Sequence, residues 1–214
     1  MALRGVTVPV TPFQQNCTLL WDEAARRATV IDPGGDLPAI RAALERSGVT
    51  AERILLTHGH VDHAGGAAAL AEALGVEVWG PDERDGFLLA GLERQGQAYG
   101  IADARAVVPD RWLSEGDEVE IGGVPFAVLH CPGHTPGHLV YVSVPMALAV
   151  VGDVLFRGSI GRTDFPYGDG EALVDAVRTK LFPLGDGIRF TCGHGPGGTF
   201  GEERRSNPFV GGAG

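Results

Sequence analysis

Short apolar runs open the chain and set its first period. "GVTVPV" (5–10), "CTLLW" (17–21) and "RATVID" (27–32) have strand length, and the last ends in the turn "DPGGD". The period then lengthens. In "DLPAIRAALERSG" Leu37, Ile40 and Leu44 share one helical face, Pro38 suits a first turn and Gly48 an end. "RILLTH" predicts a buried strand, "HAGGAAALAEALG" an Ala-rich helix stopping at Gly75, and "VEVWG" another short strand. From Pro81 to about Gln95 the spacing of Phe87, Leu88 and Leu92 predicts a further helix. From Asp117 strands return in "DEVEIGG", "VPFAVLH", "HLVYVSV" and "ALAVVGD"; a helix follows in "GEALVDAVRTKLF" and a last strand in "IRFTCGH". No linker, charge run or short-period repeat divides the two strand-rich halves, so the pattern predicts one α/β domain over residues 1–214, with two packed sheets and helices outside.

Chemistry concentrates where predicted strands end. "LLTHGHVDHAGG" places His58, His60, Asp62 and His63 within six positions. On a helix, residues two apart point in nearly opposite directions, whereas in extended chain they face one side. His58 and His60 can therefore converge on one point as the chain leaves its strand. Asp62 continues the alternation and His63 breaks it, so four ligand-type side chains around one bend suggest two adjacent points. "HCPGHTPGH" adds His130, His134 and His138, "VVGDVLF" adds Asp153, and "TCGHGPGG" adds His194. His58, His60, Asp62, His63, His134, Asp153 and His194 are more ligands than one tetrahedral Zn²⁺ uses, and they suit two ions sharing a carboxylate.

Composition narrows the classes. Hydrophobic residues at 44% and charged residues at 21% are those of a globular protein, and 33 glycines with 14 prolines imply many tight turns. A net charge of −10 disfavours nucleic acid, whose binding relies on Lys and Arg neutralising phosphates. "MALRGVTVPVTPF" shows neither a signal peptide nor an anchor, and the longest apolar run, "MALAVV", is too short to cross a bilayer. Three cysteines, Cys17, Cys131 and Cys192, lack a disulfide-framework spacing. A cytoplasmic protein acting on a small molecule is the expectation, with no membrane or nucleic-acid partner; nothing in the sequence specifies an oligomeric state.

Taken together, "THGHVDH", "GHTPGH", "GDVLFRGSIGRTDFP" and "CGHGP" resemble the metallo-β-lactamase fold superfamily in its glyoxalase II-like branch, and are most similar to short bacterial hydroxyacylglutathione hydrolases of YcbL type. The resemblance runs from "FQQNC" through "IDPGGD" to "GPGGTFGEERRSNPF". It implies a four-layer αββα sandwich with a dinuclear site at one edge. Carried over motif by motif, it puts His58, His60 and His134 on one metal and Asp62, His63 and His194 on the other, with Asp153 bridging. Zinc is the usual metal of the family; iron and manganese also occur.

That resemblance implies hydrolysis of a thioester such as S-D-lactoylglutathione, the hydrolytic step of methylglyoxal detoxification. A hydroxide held between two cations is a nucleophile at neutral pH, and Asp62 would orient it. A thiol of pKa about 8.5 leaves as thiolate without a dedicated acid. Full-length glyoxalase II carries an additional basic helical domain for glutathione, and its "GHEYT" is replaced here by "GHGPGGT", so glutathione is expected to bind differently. The same fold hosts iron-dependent persulfide dioxygenases, whose "GRTDF" is also matched and whose iron would use His58, His134 and Asp153. A non-catalytic metal-stabilised module is the alternative from another class, opposed by the excess of ligands.

Other residues have plainer readings beside the functional one. Asp32 either ends a strand in an Asp-Pro-Gly turn or orients a ligand histidine. Arg157 and Arg162 are candidates for a substrate carboxylate, although Arg162 can instead pair with Asp164. His130 and His138 are expected to pack or hydrogen-bond near the site, and Cys131 and Cys192 to be small buried side chains. "GHGPGG" matches G-x-G-x-x-G, but too little chain follows it to complete a βαβ unit.

Overall fold

The first sheet is laid down almost in chain order. In the computed structural model, which describes residues 3–212, β1 (Leu3–Val10), β2 (Gln15–Asp22) and β3 (Arg27–Ile31) form an antiparallel meander. β4 (Thr50–Leu55) and β5 (Glu77–Trp79) then add in parallel. Parallel neighbours need crossovers, which are supplied by α1 (Leu37–Ser47) and by α2 (Val61–Ala64) with α3 (Ala67–Leu74). After α4 (Gly86–Ala90) and α5 (Leu92–Tyr99) comes the second sheet. Its strands are β6 (Glu118–Ile121), β7 (Val124–His130), β8 (Leu139–Ser143) and β9 (Leu148–Val150). The ribbon β10 (Leu155–Phe156) and β11 (Ser159–Ile160) and helix α6 (Gly170–Ala176) precede β12 (Arg189–Thr191), β13 (Gly198–Thr199) and α7 (Phe200–Ser206). Strand order in this sheet is β13-β12-β9-β8-β7-β6.

Side-chain alternation explains the layering. Leu19, Val30 and Ile54 face a cluster completed by Ile40, Leu44 and Leu70 of the helices. Their chain neighbours Leu20, Ile31 and Leu55 face the other way, against Phe126, Val128 and Tyr141 of the second sheet. Val140, Val142 and Ala149 meet Leu173, Val177 and Phe200 in a third cluster. Sheets buried on both faces read as near-continuous apolar runs, as "RILLTH" and "HLVYVSV" do. Three apolar interfaces separate four layers, and the expected αββα sandwich is the observed one.

Several elements differ from the sequence expectation. The helix expected from Pro81 to Gln95 is a 3₁₀ turn at Glu83–Asp85 followed by α4 and α5, which break at Gly91. Phe87, expected on its apolar side, is 52% exposed, while Leu88 and Leu92 are buried. The Ala-rich helix is divided at Gly65–Gly66, where the Gly66 N–H turns to Pro33 O (3.0 Å). The helix from Gly170 passes at Val177 into a π turn that keeps Leu181 buried. Helix α7 was not expected; a capping box between Thr199 and Glu202 starts it. "GHGPGG" lies between β12 and β13, which pair antiparallel, so it opens no βαβ unit. Among the described residues no helix is long and apolar enough to cross a membrane.

Candidate metal centre

Four strand exits bring the chemistry together. His58 to His63 follow β4, His134 follows β7, Asp153 follows β9 and His194 follows β12. Their ligand-type atoms form three groups, each within 4.8 Å: His58 with His60 and His134, His58 with His63 and Asp153, and Asp62 with His63 and His194. All seven side chains expected from sequence are thus adjacent, in two lobes that meet at Asp153. Asp153 lies 3.2 Å by Oδ1 from His63 Nε2, and by Oδ2 3.5 Å from both His134 Nε2 and His194 Nε2. Asp62 Oδ2 is 3.2 Å from His194 Nε2.

Outer hydrogen bonds aim the imidazoles inward. His63 Nδ1 donates to Asp32 Oδ2 (2.9 Å), His134 Nδ1 to the Arg162 carbonyl (2.8 Å) and His194 Nδ1 to the Phe13 carbonyl (3.2 Å). Thr57 Oγ1 donates to Asp32 Oδ2, so it receives the His58 Nδ1 proton at 3.1 Å. With these protons on Nδ1, the Nε2 atoms of His58, His63, His134 and His194 carry lone pairs. His60 is reversed: its Nδ1 lies 3.1 Å from His58 Nε2 and 3.0 Å from His134 Nε2, while its Nε2 meets the Tyr167 hydroxyl at 2.8 Å.

A buried mismatch tests whether cations fit this arrangement. With its Nδ1 proton given to Asp32, a neutral His63 turns a bare Nε2 toward Asp153 Oδ1 at 3.2 Å, and neither buried atom has another partner. Such a pair is costly unless positive charge lies beside it. The electrostatics make the same demand. Burial, reinforced by neighbouring imidazoles, holds His58 well below its ordinary pKa and His60 down at about 3, and burial lowers His134 too. Burial opposes charge on His63 as well, but Asp153 and Asp62 outweigh it and raise its pKa well above the ordinary value. Burial likewise opposes ionisation of Asp153, yet His63, His134 and His194 hold it far below the usual carboxylate range. His194 is raised in the same way, with Asp62 and Asp153 outweighing its burial, so the carboxylates draw positive charge to His63 and His194 while His58, His60 and His134 stay neutral. A divalent cation supplies that charge in place of the protons, and imidazole nitrogens beside ionised carboxylates are the donor set such metals take, so the residues present fit the group.

Comparison with known proteins agrees with this geometry. The metallo-beta-lactamase superfamily profile matches residues 10–194. The hydroxyacylglutathione hydrolase GloC of Haemophilus influenzae is 48% identical over 95% of this chain and 96% of its own. The chain belongs to the metallo-beta-lactamase superfamily. Among solved structures of similar fold, the BLEG-1 B3 metallo-beta-lactamase superposes with a TM-score of 0.89 at 34% identity, covering 98% of this chain and 100% of that one. TTHA1623, solved in a di-iron-bound form, gives 0.85 at 38% identity over 95% and 99%.

In this member of the family a cavity of about 580 Å³ opens on the cluster. His60, Asp62, His134, Asp153 and His194 form its polar floor, and Phe13, Phe87, Tyr99, Phe156, Phe165 and Tyr167 its walls. Arg162 reaches this cavity, but its guanidinium makes a bidentate pair with Asp164 (2.7 and 2.8 Å) and lies over the Phe165 ring. Arg157, the other candidate for a substrate carboxylate, sits exposed between β10 and β11, outside the cavity lining. His130 Nε2 donates to the Pro136 carbonyl, while His138 stacks on His58 and accepts from the Asp153 N–H. Cys131 and Cys192 are buried and free, and burial pushes both thiols up to about 12. Asp32 serves as turn and as anchor: its φ is +54°, and its carboxylate receives Thr57 N, Thr57 Oγ1 and His63 Nδ1.

Three residues of the site escaped sequence reasoning. Asn16, in "FQQNC", donates to the carbonyls of Cys192 (3.0 Å) and Gly195 (2.8 Å), bracketing His194. Tyr167 follows a motif whose signal is its arginine, and Asp85 stood in a stretch read only as helix. Asp85 is buried with its carboxylate on three donors, and no local spacing announces that.

Proposed function

We propose that the chain is a metal-dependent thioester hydrolase of hydroxyacylglutathione hydrolase type, formed by one domain over residues 1–214. The observation carrying this reading is the seven-residue cluster, five of whose members floor a substrate-sized cavity, with the buried His63–Asp153 contact that calls for positive charge at its centre. Likeness to the Haemophilus hydroxyacylglutathione hydrolase over nearly the full length supports the substrate class. His58, His60 and His134 hold one cation; Asp62, His63 and His194 hold the other; Asp153 lies between them. The nitrogen-rich donor set favours zinc, with iron or manganese as alternatives.

Two bound divalent cations would supply acidity to a shared water and polarise the thioester carbonyl. The chain's own residues supply position. Asp62 lines the cavity and can accept a hydrogen bond from the attacking water, directing its lone pair at the carbonyl. Asp32 and the Phe13 and Arg162 carbonyls keep the imidazole tautomers fixed. The aromatic walls exclude water around the acyl group, and a thiolate leaves without a protein acid. A cytoplasmic role in methylglyoxal detoxification, on a small substrate and without nucleic acid, fits this chemistry.

The test is metal analysis of purified protein with three assays in parallel: S-D-lactoylglutathione hydrolysis, hydrolysis of a chromogenic β-lactam, and oxygen uptake on glutathione persulfide. Thioester hydrolysis that is lost on chelation and in His58→Ala is expected. Oxygen uptake with a single bound iron, or β-lactam turnover exceeding thioester turnover, would overturn the reading.

A further inference from the structure

Asp85 is a buried carboxylate outside the cluster that accepts three hydrogen bonds, and the mechanism above does not use it. It ends the 3₁₀ turn Glu83–Asp85, is fully shielded from solvent, and takes no cation as partner. Its Oδ2 receives the Gly59 N–H (2.9 Å) and the Thr135 hydroxyl (2.7 Å), and its Oδ1 receives the Gly137 N–H (2.6 Å). Gly59 lies between His58 and His60, while Thr135 follows His134. One carboxylate therefore joins the two chain segments that supply the three imidazoles of one lobe, through neighbours of the histidines and not through the histidines themselves.

The packing around it is equally close. A Cβ on Gly59 would come within 2.7 Å of Leu88 Cβ, and one on Gly137 within 2.7 Å of the Asp85 nitrogen. The Asp82 N–H also donates to the Gly137 carbonyl at 3.2 Å. Residues 82 to 85 thus strap both loops from outside the cavity. The other lobe is held differently: His63 by Asp32, and His194 by the Phe13 carbonyl.

We propose that Asp85 is a positioning residue that fixes the separation of the His58–His60 loop from the His134 loop, and through it the affinity of that lobe alone for a divalent cation. The proposal rests on the metal reading above. In Asp85→Asn the shape is kept, but an amide NH₂ must face either the Gly137 N–H or the Gly59 N–H, so one loop is released. Outer-shell partners of metal ligands commonly govern affinity by about 10–100-fold.

The experiment is a Zn²⁺ titration of chelated protein against a chromophoric chelator, resolving two equivalents, for wild type, Asp85→Asn, Thr135→Val and Thr135→Ser. Alongside it, the imidazole NMR resonances of the metal-free proteins are recorded. Asp85→Asn is expected to weaken one equivalent about tenfold or more and leave the other unchanged, with shifts at His58, His60 and His134 but not at His63 or His194. Thr135→Val should weaken the same equivalent less, and Thr135→Ser, which keeps the hydroxyl, should match wild type. If Asp85→Asn does not fold, the Thr135 pair decides. Equal weakening of both equivalents, or Thr135→Val and Thr135→Ser behaving alike, would overturn the proposal. Wild type binding no Zn²⁺ would instead overturn the metal reading on which it stands.

Discussion

Replacing Asp32 by Asn perturbs the cluster through one hydrogen-bonded pair. The carboxylate accepts Thr57 N on Oδ1 (2.7 Å), and Thr57 Oγ1 (2.7 Å) with His63 Nδ1 (2.9 Å) on Oδ2. An amide in its place has one acceptor oxygen, so its NH₂ opposes a donor in either orientation. Facing Thr57, it leaves a buried N–H unpaired at the exit of β4, a cost of about 1–3 kcal/mol. Facing His63, it donates to Nδ1 and forces the proton onto Nε2, which then points at Asp153 Oδ1 and has no lone pair for a cation. The loss in cation affinity should be about 10–100-fold, or about 1.4–2.7 kcal/mol, at the lobe containing His63, with a smaller loss at the His58 lobe because Thr57 Oγ1 shares Asp32 Oδ2 and receives the His58 Nδ1 proton. Competition titration with a chromophoric chelator measures it, and the ring-nitrogen NMR shifts of His63 in the Zn²⁺-loaded protein separate the two orientations by showing whether Nδ1 still carries its proton. Affinity within about twofold of wild type, with His63 still protonated at Nδ1, would refute the argument that Asp32 sets that tautomer.

Further outcomes follow from individual contacts. Burial raises the Asp85 carboxyl from 3.8 to about 6 despite its three hydrogen bonds, with Asp82 adding to the rise. The folded state then holds that proton more tightly than the unfolded one, so its stabilising contribution is complete below pH 3.8 and is lost as pH rises through about 6, about 3 kcal/mol in all. The stability of metal-free wild type relative to Asp85→Asn should accordingly fall by about 1 kcal/mol between pH 5 and pH 7 in denaturant titrations; a flat difference would mean that the carboxyl ionises normally. Asn16→Ala removes both donors beside His194 and should cost about 1–2 kcal/mol of stability while weakening the cation proposed for Asp62, His63 and His194, as read by unfolding and by chelator competition. Phe165→Ala opens the cavity wall against His60 and His134, and should raise KM for the thioester several-fold with cation affinity unchanged; a change in affinity alone would place Phe165 with the ligands instead.

How much of this was legible in the sequence depended on whether the signal was local. Strands such as Val124–His130 were read from alternation, because one face of β7 is buried and the other exposed. The cluster was readable because each of its residues sits beside a strand end with glycine nearby, and the resemblance to a known family sorted them into two lobes. Elements governed by distant contacts were not readable. The break at Gly91, the turn of Phe87 into the cavity and the division of the Ala-rich helix at Gly66 all follow from packing against other segments. Helix α7 buries few apolar side chains and announces itself only by its Thr199–Glu202 box. Asp85 and Asn16 act across sequence separations of 26 to 179 residues, which no periodicity records.

The central claim is that this chain needs two cations, held by its histidine and aspartate cluster, to cleave a thioester. Titrating chelated protein with Zn²⁺ while following S-D-lactoylglutathione hydrolysis tests it most directly. Activity absent in the metal-free chain, reaching its plateau at the second equivalent and abolished in His63→Ala, is the predicted result. Full hydrolysis by the chelated chain, or a His63→Ala variant as active as wild type, would contradict it.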